Sequence, residues 1–236
     1  MKHKVSIVHL QEFSSQSAAR EIFDLVWAIK FGTEITSNLL QAMIHSGSYL
    51  SGAFIDGQLI GAAFAFPAVN DGLHLHSHMT AVLPEYRDQG VGYALKMDQW
   101  NWARRNDYPY LSWTFDPLVR RNAKLNVVKL GVEISAYYSN FYGEMPDALN
   151  AGDESDRLMV TWSTNSDELK AKVLIANPEP SDILIEIPED IVAIRSRDQI
   201  ESIKWRRRVR EQFMAAFARN GKVIGFSTNS EYVVRI

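Results

Sequence analysis

Between Tyr49 and Val82 the chain alternates extended apolar runs with tight turns, and this stretch restricts the fold more than any other. "YLSGAFIDGQLIGAAFAF" holds two runs rich in small apolar residues on either side of Asp56-Gly57. An Asp-Gly pair suits a two-residue type I′ turn, because both central residues need a positive φ, so the reading is a β-hairpin. Beyond Pro67 and a second turn at Asp71-Gly72, a third extended run covers residues 74–82, and Pro84 closes it.

The flanking segments read as alternating strands and helices. Residues 5–10 form a first strand. Ser14 or Ser15 caps a helix to about residue 30, with Ile22, Leu25, Val26 and Ile29 at helical spacing. A second helix runs over residues 37–45 to Gly47. Another covers residues 92–105 and leads into the buried strand "YPYLSWTF", which ends at Asp116-Pro117. "RRNAKLNVVKLG" is a short helix stopped by Gly131, and "ISAYYSNFYG" and "RLMVTW" are strands.

At "STNSDELK" the composition turns polar, which marks a connection. The expected division is therefore a main domain over residues 1–165 and a C-terminal α/β extension over residues 166–236. The extension reads as "AKVLIAN", "DILIEIP", a helix over residues 198–219 and a final strand pair, "KVIGFST" and "YVVRI". Trp205, Val209, Phe213 and Phe217 recur every fourth residue, so one face of that helix is buried. "KWRRRVR" on the same helix spreads its arginines around several faces, with Glu201 and Glu211 placed to pair with them; the expectation is a solvated basic face.

Composition narrows the function classes. The formal net charge of -3 over 236 residues and the dispersed basic residues argue against a nucleic-acid partner. The absence of cysteine removes disulfides, thiolate metal sites and a cysteine nucleophile. No window approaches 18 uninterrupted apolar residues and the N-terminus has no apolar signal core, so the expected location is the cytoplasm, with no membrane partner.

The third extended run leads into "VLPEYRDQGVGYALK", where two glycines open a helix. The first N–H groups of a helix have no internal partner and the helix dipole places partial positive charge there. Glycine lets an anion come close to those groups. The loop lacks the Gly-Lys-Ser/Thr of a Walker A loop and the third glycine of the Rossmann fingerprint. What remains is Arg87-x-x-Gly90-x-Gly92 after a strand.

That pattern resembles the GNAT superfamily of N-acetyltransferases, whose signature is Gln/Arg-x-x-Gly-x-Gly/Ala between the fourth strand and the third helix. The order of strand, two helices and hairpin upstream fits, as does the helix downstream carrying Asn122-Ala123 and ending in Lys129-Leu130-Gly131. The resemblance covers roughly residues 5–162. It implies a mixed-sheet α/β GNAT fold, acetyl-CoA or a related acyl-CoA as cosubstrate, and direct acyl transfer to an amine. Thr80, Ala81 and Val82 would pair with the pantetheine arm. Arg87, Asp88, Gln89, Gly90, Val91, Gly92 and Tyr93 make up the pyrophosphate loop, and Asn122 matches an asparagine that often contacts the cofactor. The competing class is a non-catalytic acyl-CoA-binding or regulatory module on the same fold.

Acyl transfer needs a base for the amine, polarisation of the carbonyl and an acid for the leaving thiolate. "HLHSH" places His74, His76 and His78 on one face of a strand, and by the resemblance His76 falls where some members carry a glutamate base. The same His-x-His run is also read as a possible zinc chelate or as a partly polar interior face. The family's usual acid is a tyrosine four residues before the terminal glycine of the fourth helix, where this chain has Val127. Tyr138, or its neighbours Tyr137 and Tyr142, and Asp116 at the end of the fifth strand are the remaining candidates, Asp116 also reading as a turn residue before Pro117. "NFYGEMPDALNAGDESDR" reads as part of an acceptor pocket or a solvated loop. The expected acceptor is a small-molecule amine or amino acid rather than a protein, and a homodimer stays open.

Overall fold

The computed structural model describes residues 4–29, 35–145, 152–165, 174–175 and 177–236. The chain divides into two compact units, Met1–Trp113 with Ser163–Ser166, and Thr114–Trp162 with Asp167–Ile236. Residues 114–162 group with the tail in the second unit. A buried charge cluster described below supplies the reason.

The first unit runs β1 (Ser6–His9), α1 (Phe13–Trp27), α2 (Ser37–His45), β2 (Tyr49–Ile55), β3 (Gln58–Ala68), β4 (His74–Val82), α3 (Val91–Arg105) and the start of β5 (Tyr110–Phe115). The hairpin turn forms as its dipeptide requires, with φ of 49° at Asp56 and 80° at Gly57. β2, β3 and β4 are antiparallel neighbours, and β5 joins β4 in parallel after the α3 crossover. Helix α1 stops earlier than its apolar spacing predicts, because Ala28 turns left-handed with φ of 50°. Helix α2 starts where Thr36 accepts a hydrogen bond from the Leu39 N–H. Phe23 and Leu40 from these helices meet Phe64, Met79 and Ala81 from the sheet in one apolar core.

The second unit holds the end of β5, α4 (Arg120–Ala123), β6 (Glu133–Tyr138), β7 (Arg157–Ser163), β8 (Leu174–Ile175), β9 (Ile183–Glu186), α5 (Ile191–Arg197), α6 (Gln199–Ala218), β10 (Lys222–Ser227) and β11 (Glu231–Arg235). The strands make a seven-stranded sheet of order β1-β2-β3-β4-β5-β7-β6 and a four-stranded sheet of order β8-β10-β11-β9. The single helix expected over residues 120–131 is α4 continued by a π-helical stretch, Lys124–Leu130, closed by left-handed Gly131. β6 ends at Tyr138, short of the predicted run, because Asn140 turns with φ of 46°. Most of "AKVLIAN" lies outside the described residues.

Asp198 caps α6 by accepting from the Glu201 N–H. The buried face of α6 is Ser202, Arg206, Val209, Phe213 and Ala216. Val209 and Phe213 are therefore buried as expected, whereas Trp205 and Phe217 flank the stripe. The solvated basic face is a correction. Lys204, Arg207 and Arg208 are exposed, but Arg206 is only 2% exposed. Its guanidinium donates to both oxygens of Asp116, at 2.6 and 2.9 Å, and to Asp153 Oδ2 at 2.9 Å. Arg195 donates to the same Asp153 oxygen at 3.1 Å. Two guanidinium groups and two carboxylates cancel in a space from which water is excluded, and this cluster ties residues 114–162 to the tail. Phe213 adds an aromatic link, its ring 5.5 Å from Tyr137 on β6 and 5.1 Å from Tyr232 on β11. Among the described residues no helix is long and apolar enough to cross a membrane.

Candidate active site

β4 carries the catalytic candidate His76 and ends at the glycine turn. Its pairing with β3 joins Ser77 to Ala65 and Met79 to Phe64, so His78 is an extra residue, a β-bulge. The extra residue exchanges the two faces of the strand. His74 and His76 lie with Phe66 before the bulge, and Met79 and Ala81 continue that face after it. Ser77, Thr80 and Val82 take the other face. The three histidines therefore do not share one regular face, and the strict alternation expected from the sequence fails at His78.

His74 is held in place, its Nδ1–H donating to the Gly72 carbonyl at 2.8 Å and its ring stacked on Tyr110 at 4.6 Å. His76 is half-buried between Phe66 and β5, with Nδ1 3.0 Å from Ser112 Oγ. Burial first, then electrostatic repulsion from the neighbouring His78, His74 and Lys96 side chains, lowers its pKa to about 4. The imidazole is neutral at physiological pH. In the tautomer whose Nδ1–H donates to Ser112, Nε2 keeps its lone pair; it has no hydrogen-bond partner among the described residues. An open hollow of about 320 Å³ borders the Phe66 ring that flanks His76, lined by Ala42, Met43, Ser46, Ser48, Phe66 and Pro67. Among the described residues no group of three or more histidine and carboxylate side chains stands ready to hold a metal ion.

β4 and β5 pair at Leu75–Leu111 and His76–Ser112. Ser77 and Trp113 are the next residues on each strand, and Lys96 from α3 reaches both. Its Nζ donates to Ser77 Oγ at 2.6 Å and lies 3.9 Å from the centre of the Trp113 ring. The side chain is 5% exposed, and among the described residues no carboxylate pairs with it. Burial pushes the ammonium down to about 7. Reading the sequence as motifs missed Lys96; its one signal is spacing, since it shares the inward stripe of α3 with Leu95, Gln99, Trp100 and Ala103.

The turn after β4 suits an anion. A short 3-10 turn, Pro84–Tyr86, leads into left-handed residues at Asp88, with φ of 60°, and Gly90, with φ of 84°. A Cβ at Gly90 would meet no atom within 4 Å, so the space before the helix is open. Gly90 is the N-cap of α3 and offers no side chain to its N–H groups, and the first turn has no acidic residue. On β4 nearby in sequence, the Thr80 hydroxyl oxygen is buried without a hydrogen-bond partner among the described residues. Open backbone donors and an orphaned hydroxyl fit a phosphorylated ligand lying along β4.

The remaining candidates, Asp116, Asn122 and Tyr138, belong to the second unit. Asp116 is held by Arg206 and Arg195 and accepts from the Leu118 N–H at 2.9 Å, so it is a turn and cluster residue. Burial alone would raise its pKa, but the Arg206 guanidinium outweighs it and keeps the carboxylate well below its usual range. A carboxylate so engaged takes up no proton near neutrality. Asn122 lies half-buried on α4. Tyr138 is 41% exposed and its hydroxyl makes no hydrogen bond among the described residues. Val127, at the place of the usual tyrosine, is buried.

Comparison with known proteins follows the same lines. Residues 17–125 match the model of the acetyltransferase (GNAT) family. No curated protein sequence matches the chain. Among solved structures, the ribosomal-protein-S18-alanine N-acetyltransferase of Escherichia coli is similar, with a TM-score of 0.54, 16% identity, and coverage of 70% of this chain and 97% of that one. A GNAT acetyltransferase of Streptococcus pneumoniae gives 0.54, 14%, 68% and 99%. Naa50 of Arabidopsis thaliana, solved with a bisubstrate analogue CoA-Ac-MVNAL, gives 0.52, 16%, 67% and 98%. These identities show a shared fold, which leaves out the C-terminal sheet and helices. The glycine turn opening α3 lies inside the segment that matches the GNAT acetyltransferase family model, residues 17–125.

Proposed function

We propose that the protein transfers an acyl group, acetyl in the simplest case, from acyl-CoA directly to an amine. One observation carries the reading: at the end of β4, left-handed Gly90 opens α3 with unobstructed N–H groups and no acidic side chain in the first turn. Bound acyl-CoA supplies an activated thioester. The N–H groups from Asp88 to Tyr93 bind its pyrophosphate, with Arg87 anchoring the loop by donating to the Val82 carbonyl at 3.3 Å. Thr80, Ala81 and Val82 receive the pantetheine arm.

His76 is the base. Because its neutral form persists down to about pH 4, Nε2 is open across the physiological range, and the proton it collects passes on readily to solvent. The hollow beside Phe66 has room for a small amine or amino acid as acceptor.

Calorimetric titration with coenzyme A, followed by thiol release from acetyl-CoA across a panel of amines and amino acids, tests the proposal. Binding with turnover on at least one acceptor is expected. Gly90→Val strains the left-handed turn and fills its open space, and should abolish binding. Binding without turnover on any acceptor would leave the non-catalytic module; no binding would remove the reading.

A further inference from the structure

We propose that Lys96, acting through Ser77, is the proton donor to the thiolate that leaves when the acyl group is transferred. The inference rests on the reading above that acyl-CoA lies along β4, and it supplies the acid that Val127 cannot.

Ladder pairing between β4 and β5 closes at His76–Ser112, and the Lys96 Nζ sits at Ser77 and Trp113, the first residues beyond that closure. His76, the base, immediately precedes Ser77 and points to the opposite face. Acid and base thus occupy adjacent residues on the two sides of one strand. The hydrogen-bond direction is also suitable. Lys96 donates to Ser77 Oγ, so the serine O–H is left to donate onward. Nor does the cation serve an ion pair among the described residues. The titratable groups on the elements packed around it are His74, His76 and His78 of β4, Tyr110 of β5, His9 of β1, Tyr49 of β2, and Tyr93, Asp98, Arg104 and Arg105 of α3 itself. Asp98 is taken by His9 Nε2 at 3.0 Å and the Tyr49 hydroxyl at 2.7 Å. An unpaired buried ammonium is costly to keep in a fold, which gives it the mark of a working group.

The step balances. The acceptor nitrogen forms the C–N bond as the C–S bond breaks, and its electron pair goes to sulfur. Ser77 passes its hydroxyl proton to sulfur and takes one from the Lys96 ammonium. The neutral Lys96 regains a proton from solvent, to which His76 has released the one taken from the amine. Since burial brings Lys96 to about 7, its acid form is depleted as pH rises through neutrality.

The test uses Lys96→Met and Ser77→Ala with coenzyme A and with desulfo-coenzyme A, which lacks the sulfur. Thiolate absorbance of bound coenzyme A against pH reads the field at the sulfur without turnover. Wild type should lower the bound thiol's pKa and Lys96→Met should restore it, while desulfo-coenzyme A binds both equally. Turnover should fall about 100-fold in Lys96→Met, with loss of the alkaline limb near pH 7, and also fall in Ser77→Ala. An unchanged thiol pKa in Lys96→Met, or equal weakening of desulfo-coenzyme A, overturns the assignment while coenzyme A binding stands. Failure of wild type to bind coenzyme A overturns the cosubstrate reading and this assignment with it.

Discussion

Lys96 in the first unit and Arg206 in the second are both buried cations, built in opposite ways. Arg206 meets two carboxylates through most of its donors, and Arg195 completes a neutral cluster. Lys96 meets one hydroxyl and one aromatic face. The consequence is opposite in sign. Asp116 first, then Asp153, holds Arg206 above its ordinary range against the cost of burial, so it never loses its charge. Burial with no compensating anion brings Lys96 to the edge of deprotonation. A paired buried charge makes a fixed joint; an unpaired one makes a group that exchanges its proton.

The largest expected effect that would break this contrast is on the paired side. Arg206→Met leaves Asp116 and Asp153 short of their main partner and should cost about 3–5 kcal/mol in denaturant unfolding. A loss below about 1 kcal/mol would mean that the cluster does not join residues 114–162 to the tail. Acid should mimic the mutation. Asp116 is held low, so its contribution is complete above the ordinary carboxylate pKa near 4 and is lost as pH falls through its depressed folded value.

Lys96→Met sharpens the other side, because removing an unpaired buried charge relieves its desolvation cost and should raise stability in denaturant unfolding below pH 7. The pH dependence carries the sign. Between about pH 7 and the ordinary lysine value near 10.5, the unfolded chain binds a proton that the folded chain does not. Wild-type stability therefore gains up to about 1.4 kcal/mol per pH unit from this residue across that window, and the gain should be missing in Lys96→Met. Thermal unfolding of both proteins between pH 6 and pH 10 measures the difference on a common background. Equal slopes would mean that Lys96 is not desolvated.

The smallest effect is the control. Glu201 and Lys204 pair at 3.8 Å with both side chains largely exposed. Glu201→Gln should change stability by no more than about 0.5 kcal/mol, since solvent screens such pairs. A larger change would show that the charges of α6 act together and not through Arg206 alone.

Legibility followed the range of the forces involved. The hairpin at Asp56-Gly57, the limits of β4 and the opening of α3 were readable, because turn chemistry and glycine placement act over a few residues. The candidate cofactor loop was readable for the same reason. The bulge at His78 was not, since it exists only in the register between β3 and β4, and with it went the expectation of three histidines on one face. α5 was also missed; Asp190 caps it through the Val192 and Ala193 N–H groups, but its short apolar pattern reads equally as a connection.

The sequence alone determined a mixed α/β chain with a strand, a glycine turn and a helix opening in that order, because those features depend on local backbone preference. Tertiary structure decided what the charged residues do. "KWRRRVR" and "YALKMDQW" both look like ordinary helix surface, yet Arg206 and Lys96 are buried. Arg206 finds Asp116 across 90 positions and Lys96 finds Ser77 across 19. Whether a charge is a joint, a proton donor or solvated decoration depends on which distant groups surround it, and a one-dimensional pattern carries no record of those neighbours.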